Sequence, residues 1–151
     1  MSKLPLPTLI IFLLLFSSCN EEMTTNNHDI YDFHILYSYQ GESMSEWYNT
    51  NYDQDILYIT VESGFVDDTI SISANGKPIA IDTIVHTNDI DGLAAGFQIV
   101  DINKIQQLSL KVNSSPTVSF EVARKDFIFM GISKDKKSIE VVFYKKPPTF
   151  Y

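Results

Sequence analysis

Residues 55–81, DILYITVESGFVDDTISISANGKPIAI, decide the fold. Apolar side chains recur there at every second position. Leu57, Ile59 and Val61 share one face of "DILYITVE", Ile70 and Ile72 one face of "DTISISA", and Ile79 and Ile81 one face of "KPIAI". A period of two is the signature of half-buried strands. Between the last two segments lies Asn75-Gly76, a dipeptide that occupies positive φ without strain and closes a tight hairpin.

The same pattern extends outward in both directions. "FHILYSY" (33–39) reads as the first strand. Phe97 and Ile99 mark another, followed by Leu108, Leu110 and Val112, then Val118, Phe120 and Val122. "DFIFMGI" (126–132) and "SIEVVFY" (138–144) flank the polar loop Ser133–Lys137. Both arms are rich in β-branched or aromatic residues and apolar on both faces, so this hairpin belongs at a sheet centre or beneath a cover. Only "GESMSEW" (41–47) and "VDINKIQQ" (100–107) fit short helical turns. About eight short strands spaced by turn signals predict an all-β fold, a two-sheet antiparallel sandwich of immunoglobulin-like type. The Cys–Trp–Cys hallmark of true immunoglobulin domains is absent, since the chain has one cysteine. No repeat or Gly/Ser-rich linker divides residues 31–151, which are expected to form a single domain.

That cysteine sits in the other informative stretch. Lys3 gives a positive start, Leu9–Phe16 form an unbroken apolar run, and small Ser17 and Ser18 precede Cys19. The run is far shorter than the roughly 20 residues of a bilayer-spanning helix, which favours an export signal. Phe16-Ser17-Ser18-Cys19 resembles the lipobox of bacterial lipoproteins, with Phe16 where that family usually has Leu. The resemblance covers residues 1–22. It implies that Met1–Ser18 are a signal peptide, that Cys19 takes a diacylglycerol, and that its freed amine is acylated, for instance by palmitate. Each buried CH₂ adds about 0.8 kcal/mol, so two or three chains make a lasting membrane anchor. Residues 19–30, polar and poor in apolar side chains, read as lipidated cysteine plus tether. The acidic step Asn20-Glu21-Glu22 resembles a surface-export signal of some Gram-negative bacteria. The implied location is the outer membrane, on its periplasmic or surface face.

Motifs for chemistry are sparse. His28 falls in the tether, His34 on the first strand, and His86 at a strand end; no HExxH, GxSxG, glycine-rich phosphate loop or cysteine nucleophile occurs. No catalytic residue, metal site or cofactor is assigned. Asn51, Asp53, Asp55 and Glu62 have EF-hand spacing, but Ile56 replaces the turn glycine and residues 56–61 alternate as a strand. The oxygen-rich loops "NTNYDQD", "VDD" and "TNDIDG" retain the means to hold Ca²⁺, although solvated turns use Asp and Asn in the same way. The segment EWYNTNYDQD (46–55) stands apart, because Trp47, Tyr48 and Tyr52 mix with Asn and Asp rather than with aliphatics. Rings beside amides and carboxylates suit sugar recognition, and Trp47, Tyr48 and Tyr52 are the candidate ligand-binding residues. The competing role for the same rings is packing, with a polar tip left in water.

The net charge is −8 and the pI about 4.7. Residues 20–103 carry fifteen acids against Lys77 alone, while residues 104–151 carry nine bases and four acids. Nucleic acid is excluded as a partner by this balance and by the lack of a basic stripe. The function expected is a non-enzymatic binding or accessory lipoprotein that meets the membrane through Cys19 and contacts a glycan or an envelope protein. Two alternatives remain: a small hydrolase using the Asp-rich loops, and an inhibitor or immunity-type lipoprotein.

Overall fold

The computed structural model describes residues 30–38 and 52–147. The signal segment, Cys19 and its tether, His28, the 41–47 turn, Trp47 and Tyr48 lie outside them. Nine strands follow one another: β1 (Asp32–Ser38), β2 (Ile56–Val61), β3 (Asp68–Ala74), β4 (Lys77–Val85), β5 (Ala95–Val100), β6 (Gln107–Val112), β7 (Val118–Glu121), β8 (Phe129–Asp135) and β9 (Ser138–Tyr144). Among the described residues the only helical element is a 3₁₀ turn, Ile102–Lys104, within the 100–107 segment expected to turn.

The strands form the two-sheet sandwich expected from the alternation. One sheet has the order β1-β9-β8-β2-β5 and the other β4-β3-β6-β7. Five of seven pairings are antiparallel; β1 with β9 and β2 with β8 run parallel. Parallel neighbours need a crossover, and the chain between β2 and β8 supplies one by passing through the opposite sheet. Leu57, Ile59 and Val61 from one sheet and Ile70, Ile72, Leu108 and Leu110 from the other are essentially inaccessible to water and fill the space between the sheets. The β8–β9 hairpin is internal to its sheet, and Phe129–Ile132 are buried on both faces.

Two details depart from the alternation. Alternation sets Ile81 on one face with Ile79, yet Ile81 is 68% exposed while Ala80 is buried. The β3–β4 register shifts around Ile72, and Asp82 turns into the left-handed region at φ 42°. A bulge of this kind moves the following side chains to the other face. The polar loop expected at 133–137 is mostly strand: β8 continues through Asp135, and Lys136, at φ 48°, and Lys137 alone make the turn.

A buried ion pair ties the sheets together. Lys134 Nζ of β8 donates to both carboxylate oxygens of Asp68 on β3, each at 2.6 Å. Asn113 Nδ2 and the Val66 amide donate to the same carboxylate at 2.7 and 2.8 Å. Burial alone would raise the Asp68 carboxyl, but these donors outweigh it and hold the group below its ordinary value.

Candidate functional site

The outward face of the five-stranded sheet carries two adjacent rows of side chains, set by strand register. In the first row Gln98 (β5) pairs with Tyr58 (β2), Tyr58 with Phe129 (β8), and Phe129 with Tyr144 (β9). In the second, Gly96 (β5) pairs with Thr60 (β2) and Thr60 with Gly131 (β8). A ridge of rings therefore runs beside a trough whose floor includes two glycines. The rings of Tyr58 and Phe129 stack at 5.4 Å with 24° between planes. Tyr52 meets both edge-on, at 5.2 Å and 4.8 Å. The Asp53 amide donates to the Tyr58 hydroxyl at 3.1 Å, which pins the 52–55 turn to the ridge.

The two ends of the trough differ. At the β5 end it is an open groove of about 540 Å³ lined by Tyr58, Thr60, Gly96, Phe97 and Gln98. A Cβ added at Gly96 would meet nothing closer than ordinary van der Waals contact, so the missing Cβ leaves real space there. At the β8 end the trough is filled. The Glu62 carboxylate lies so close over Gly131 that a Cβ would collide with it. Glu62 accepts a hydrogen bond from the Thr60 hydroxyl at 3.0 Å.

Burial pushes the Glu62 carboxyl above the usual range; the Thr60 hydrogen bond opposes this, and the neighbouring Glu140 charge adds to it. The Tyr144 hydroxyl is pushed up to about 12, first by burial and then by Glu62 and Glu140. His34 on β1 is the register neighbour of Glu140. The face thus offers rings, a hydroxyl, an amide and two carboxylates within one sheet surface.

Of the residues singled out from the sequence, Tyr52 is on this face, half-buried against the core. The EF-hand reading fails structurally as it did in sequence, because Ile56–Val61 is β2. The Asp-rich loops use their oxygens locally. Asp53 Oδ1 accepts from the Asp55 amide, Asn88 Oδ1 from Ile90, and Asp91 Oδ1 from Leu93. Asp67 pairs with His86 at 3.1 Å, both well exposed. Among the described residues no three His, Cys, Asp or Glu side chains gather as a metal site. Thr60, Gly96, Gln98 and Gly131 were missed. Their sequence signal is a glycine inside an otherwise bulky strand, in "AAGFQIV" and "FIFMGIS", which marks close approach by another group or open space.

A second groove, about 640 Å³, opens at one end of the four-stranded sheet between Asn75, Gln106, Gln107, Glu121 and Lys125. Its polar groups serve the fold. Asn75 Oδ1 accepts from the Gln106 and Gln107 amides, and its Nδ2 donates to the Lys104 carbonyl. Lys125 Nζ donates to the Ile105 carbonyl, and burial lowers its affinity for a proton. This groove has no aromatic wall.

No helix among the described residues is long and apolar enough to cross a membrane. Comparison of the chain with protein-family models, curated proteins and solved structures finds no match.

Proposed function

We propose that this protein is a lipid-anchored envelope module that binds a glycan on the outer face of its five-stranded sheet. The observation that carries the reading is the open groove at Gly96, walled by Tyr58, Thr60 and Gln98, with the half-buried Tyr52 ring packed against Tyr58. A pyranose has apolar faces and a hydroxyl rim. A tyrosine wall covers the first, and Thr60 and Gln98 hydrogen-bond the second. Candidate residues Trp47 and Tyr48 precede Tyr52 by a few positions and extend the same aromatic segment. The anchor part of the proposal rests on the lipobox-like Phe16–Cys19 segment, with the outer membrane as location.

A glycan array read with the parent, Tyr52→Ala and Gln98→Ala tests the reading. A lost ring contact or amide should weaken binding about fivefold, with Gln98→Ala, an exposed position, melting like the parent. Binding unchanged in both variants would refute the site. Labelled fatty acid fed to cells expressing the full chain or Cys19→Ala tests the anchor; equal label in both would refute it.

One observation favours a second reading, that of a hydrolase. Glu62, biased toward its protonated form, shares the face with the carboxylate of Glu140, and glycoside hydrolysis employs such acid and carboxylate pairs. This reading requires release of reducing sugar from a bound glycan, abolished by Glu62→Gln. The binding reading predicts no release.

A further inference from the structure

We infer, resting on the glycan reading above, that the sugar taken by the trough bears a free amine, met by Thr60 and Glu62. Thr60 lines the open groove, and its Oγ1 lies 3.0 Å from Glu62 Oε1. Glu62 follows Thr60 on the same outward face of the β2 chain. Its carboxylate therefore stands one hydrogen bond behind the groove wall.

The direction of that bond selects the ligand. An ionised glutamate only accepts, so the Thr60 hydroxyl donates its proton toward Glu62. Its other polar neighbour, the Met130 carbonyl at 3.4 Å, is an acceptor too. Thr60 is left with lone pairs, and a ligand group placed against it has to donate. A sugar hydroxyl or an ammonium can do so; a carboxylate or a sulfate cannot. Charge decides between the two donors. Glu62 is partly desolvated, has Thr60 as its one described side-chain donor, and feels the Glu140 charge. An ammonium beside Thr60 offsets those like charges and keeps Glu62 ionised, which a hydroxyl does not.

The groups around Glu62 leave this part of the face negative. Glu140 of β9 and His34 of β1 are register partners, and Asp135 and Asp32 lie a step beyond, both paired with Ser138. The exposed residues of β5 are Gly96, Gln98 and Val100, none of them charged. From the β4–β5 loop, Thr87 donates to the Glu62 carbonyl, and its neighbour His86 is engaged with Asp67. Apart from Lys134, the five strands of this sheet contain no lysine or arginine. Lys134 is turned onto Asp68. Lys136 and Lys137 are exposed in the turn past Asp135, where the Asp32 amide bonds the Lys137 carbonyl. Beyond β9, Lys145 pairs with Asp126 and the Lys146 ammonium is enclosed.

The test prints the same oligosaccharide backbones on one array in free-amine, N-acetylated and uronate forms. The array is read with the full lipidated chain in nanodiscs of uncharged lipid, with empty nanodiscs as blank. The amine form should bind about tenfold tighter than the acetylated form, and the uronate form weakest. Glu62→Gln keeps an acceptor for Thr60 and removes the charge, so the preference should fall to about twofold. Asp89→Asn makes the same change of charge on an exposed loop and should keep the preference. Gln98→Ala should weaken the amine and acetylated forms alike, which reports on the groove itself. Equal binding of those two forms, still weakened by Gln98→Ala, would overturn the inference and leave the groove standing as a glycan site. So would a preference that survives Glu62→Gln, or one that Asp89→Asn lowers as far, since the diffuse charge of an acidic protein would then account for it. A parent that binds none of the forms would overturn both readings.

Discussion

At Glu62 the chain sets a carboxylate over Gly131, where a methyl group has no room. The group is partly desolvated, faces Glu140, and has one described side-chain donor, Thr60. Its proton is held more tightly in the native state than in the unfolded chain. Stability therefore falls as pH rises from the ordinary glutamate value of 4.5 through the higher folded value. Glu62→Gln keeps the acceptor for Thr60 and removes the charge. It should raise the Tm by about 2 °C at pH 7.5, a figure kept small because the group is partly solvated, and leave it unchanged at pH 4. Scanning calorimetry at the two pH values checks this; a lower Tm at pH 7.5 would show that the charge is favourable there. Asp68 has the opposite sign. Its folded value lies below the ordinary 3.8, so the stability it contributes is present above 3.8 and is lost as pH falls through the folded value. Lys134→Met, which leaves that carboxylate buried without its ammonium, should cost about 3–5 kcal/mol in denaturant unfolding at pH 7. Adding Asp68→Asn should recover part of the loss. Equal stability of parent and Lys134→Met would show that the pair does not bind the sheets together.

The β3–β4 hairpin shows why some elements are legible in a sequence and others are not. Asn75 was readable as a turn residue because it precedes Gly76, and it does occupy the left-handed region at φ 48°. Its further task was not readable. The side chain holds the entry to neighbouring β6, bonding the Gln106 and Gln107 amides and the Lys104 carbonyl, about thirty positions away in sequence. Asn75→Ala should then cost about 2–3 kcal/mol, more than a turn preference alone, because it strips three hydrogen bonds as well as the residue best suited to that backbone. A loss under 1 kcal/mol by urea titration would mean that water replaces the side chain at little cost. β2 and β3 were plain from alternation because each has a clean buried face, and β9 from its β-branched and aromatic content. The face of Ile81 was not, since a bulge is a property of the pair of strands and leaves no period in either one. The site followed the same rule. Tyr52 was visible as an aromatic among polar residues, whereas Thr60, Gly96 and Gln98 become neighbours only through the β2–β5 register.

Over the whole molecule, the sandwich keeps its closed core apart from an outer face that carries rings. The space between the sheets is apolar and closed across by Asp68 and Lys134. The outer face of the five-stranded sheet presents rings beside a glycine-floored trough. A glycan held in this trough would perturb the backbone amides of its floor and walls, which amide NMR reads residue by residue. The chain, at 17.2 kDa, suits a titration of the ¹⁵N-labelled protein with the glycan selected on the array. Saturable shifts are expected at Tyr58, Thr60, Gly96 and Gln98, abolished in Gly96→Val, whose Cβ makes only ordinary contact with the sheet. Shifts confined to Asn75, Gln106 and Lys125, or identical titrations of parent and Gly96→Val, would contradict binding in the trough.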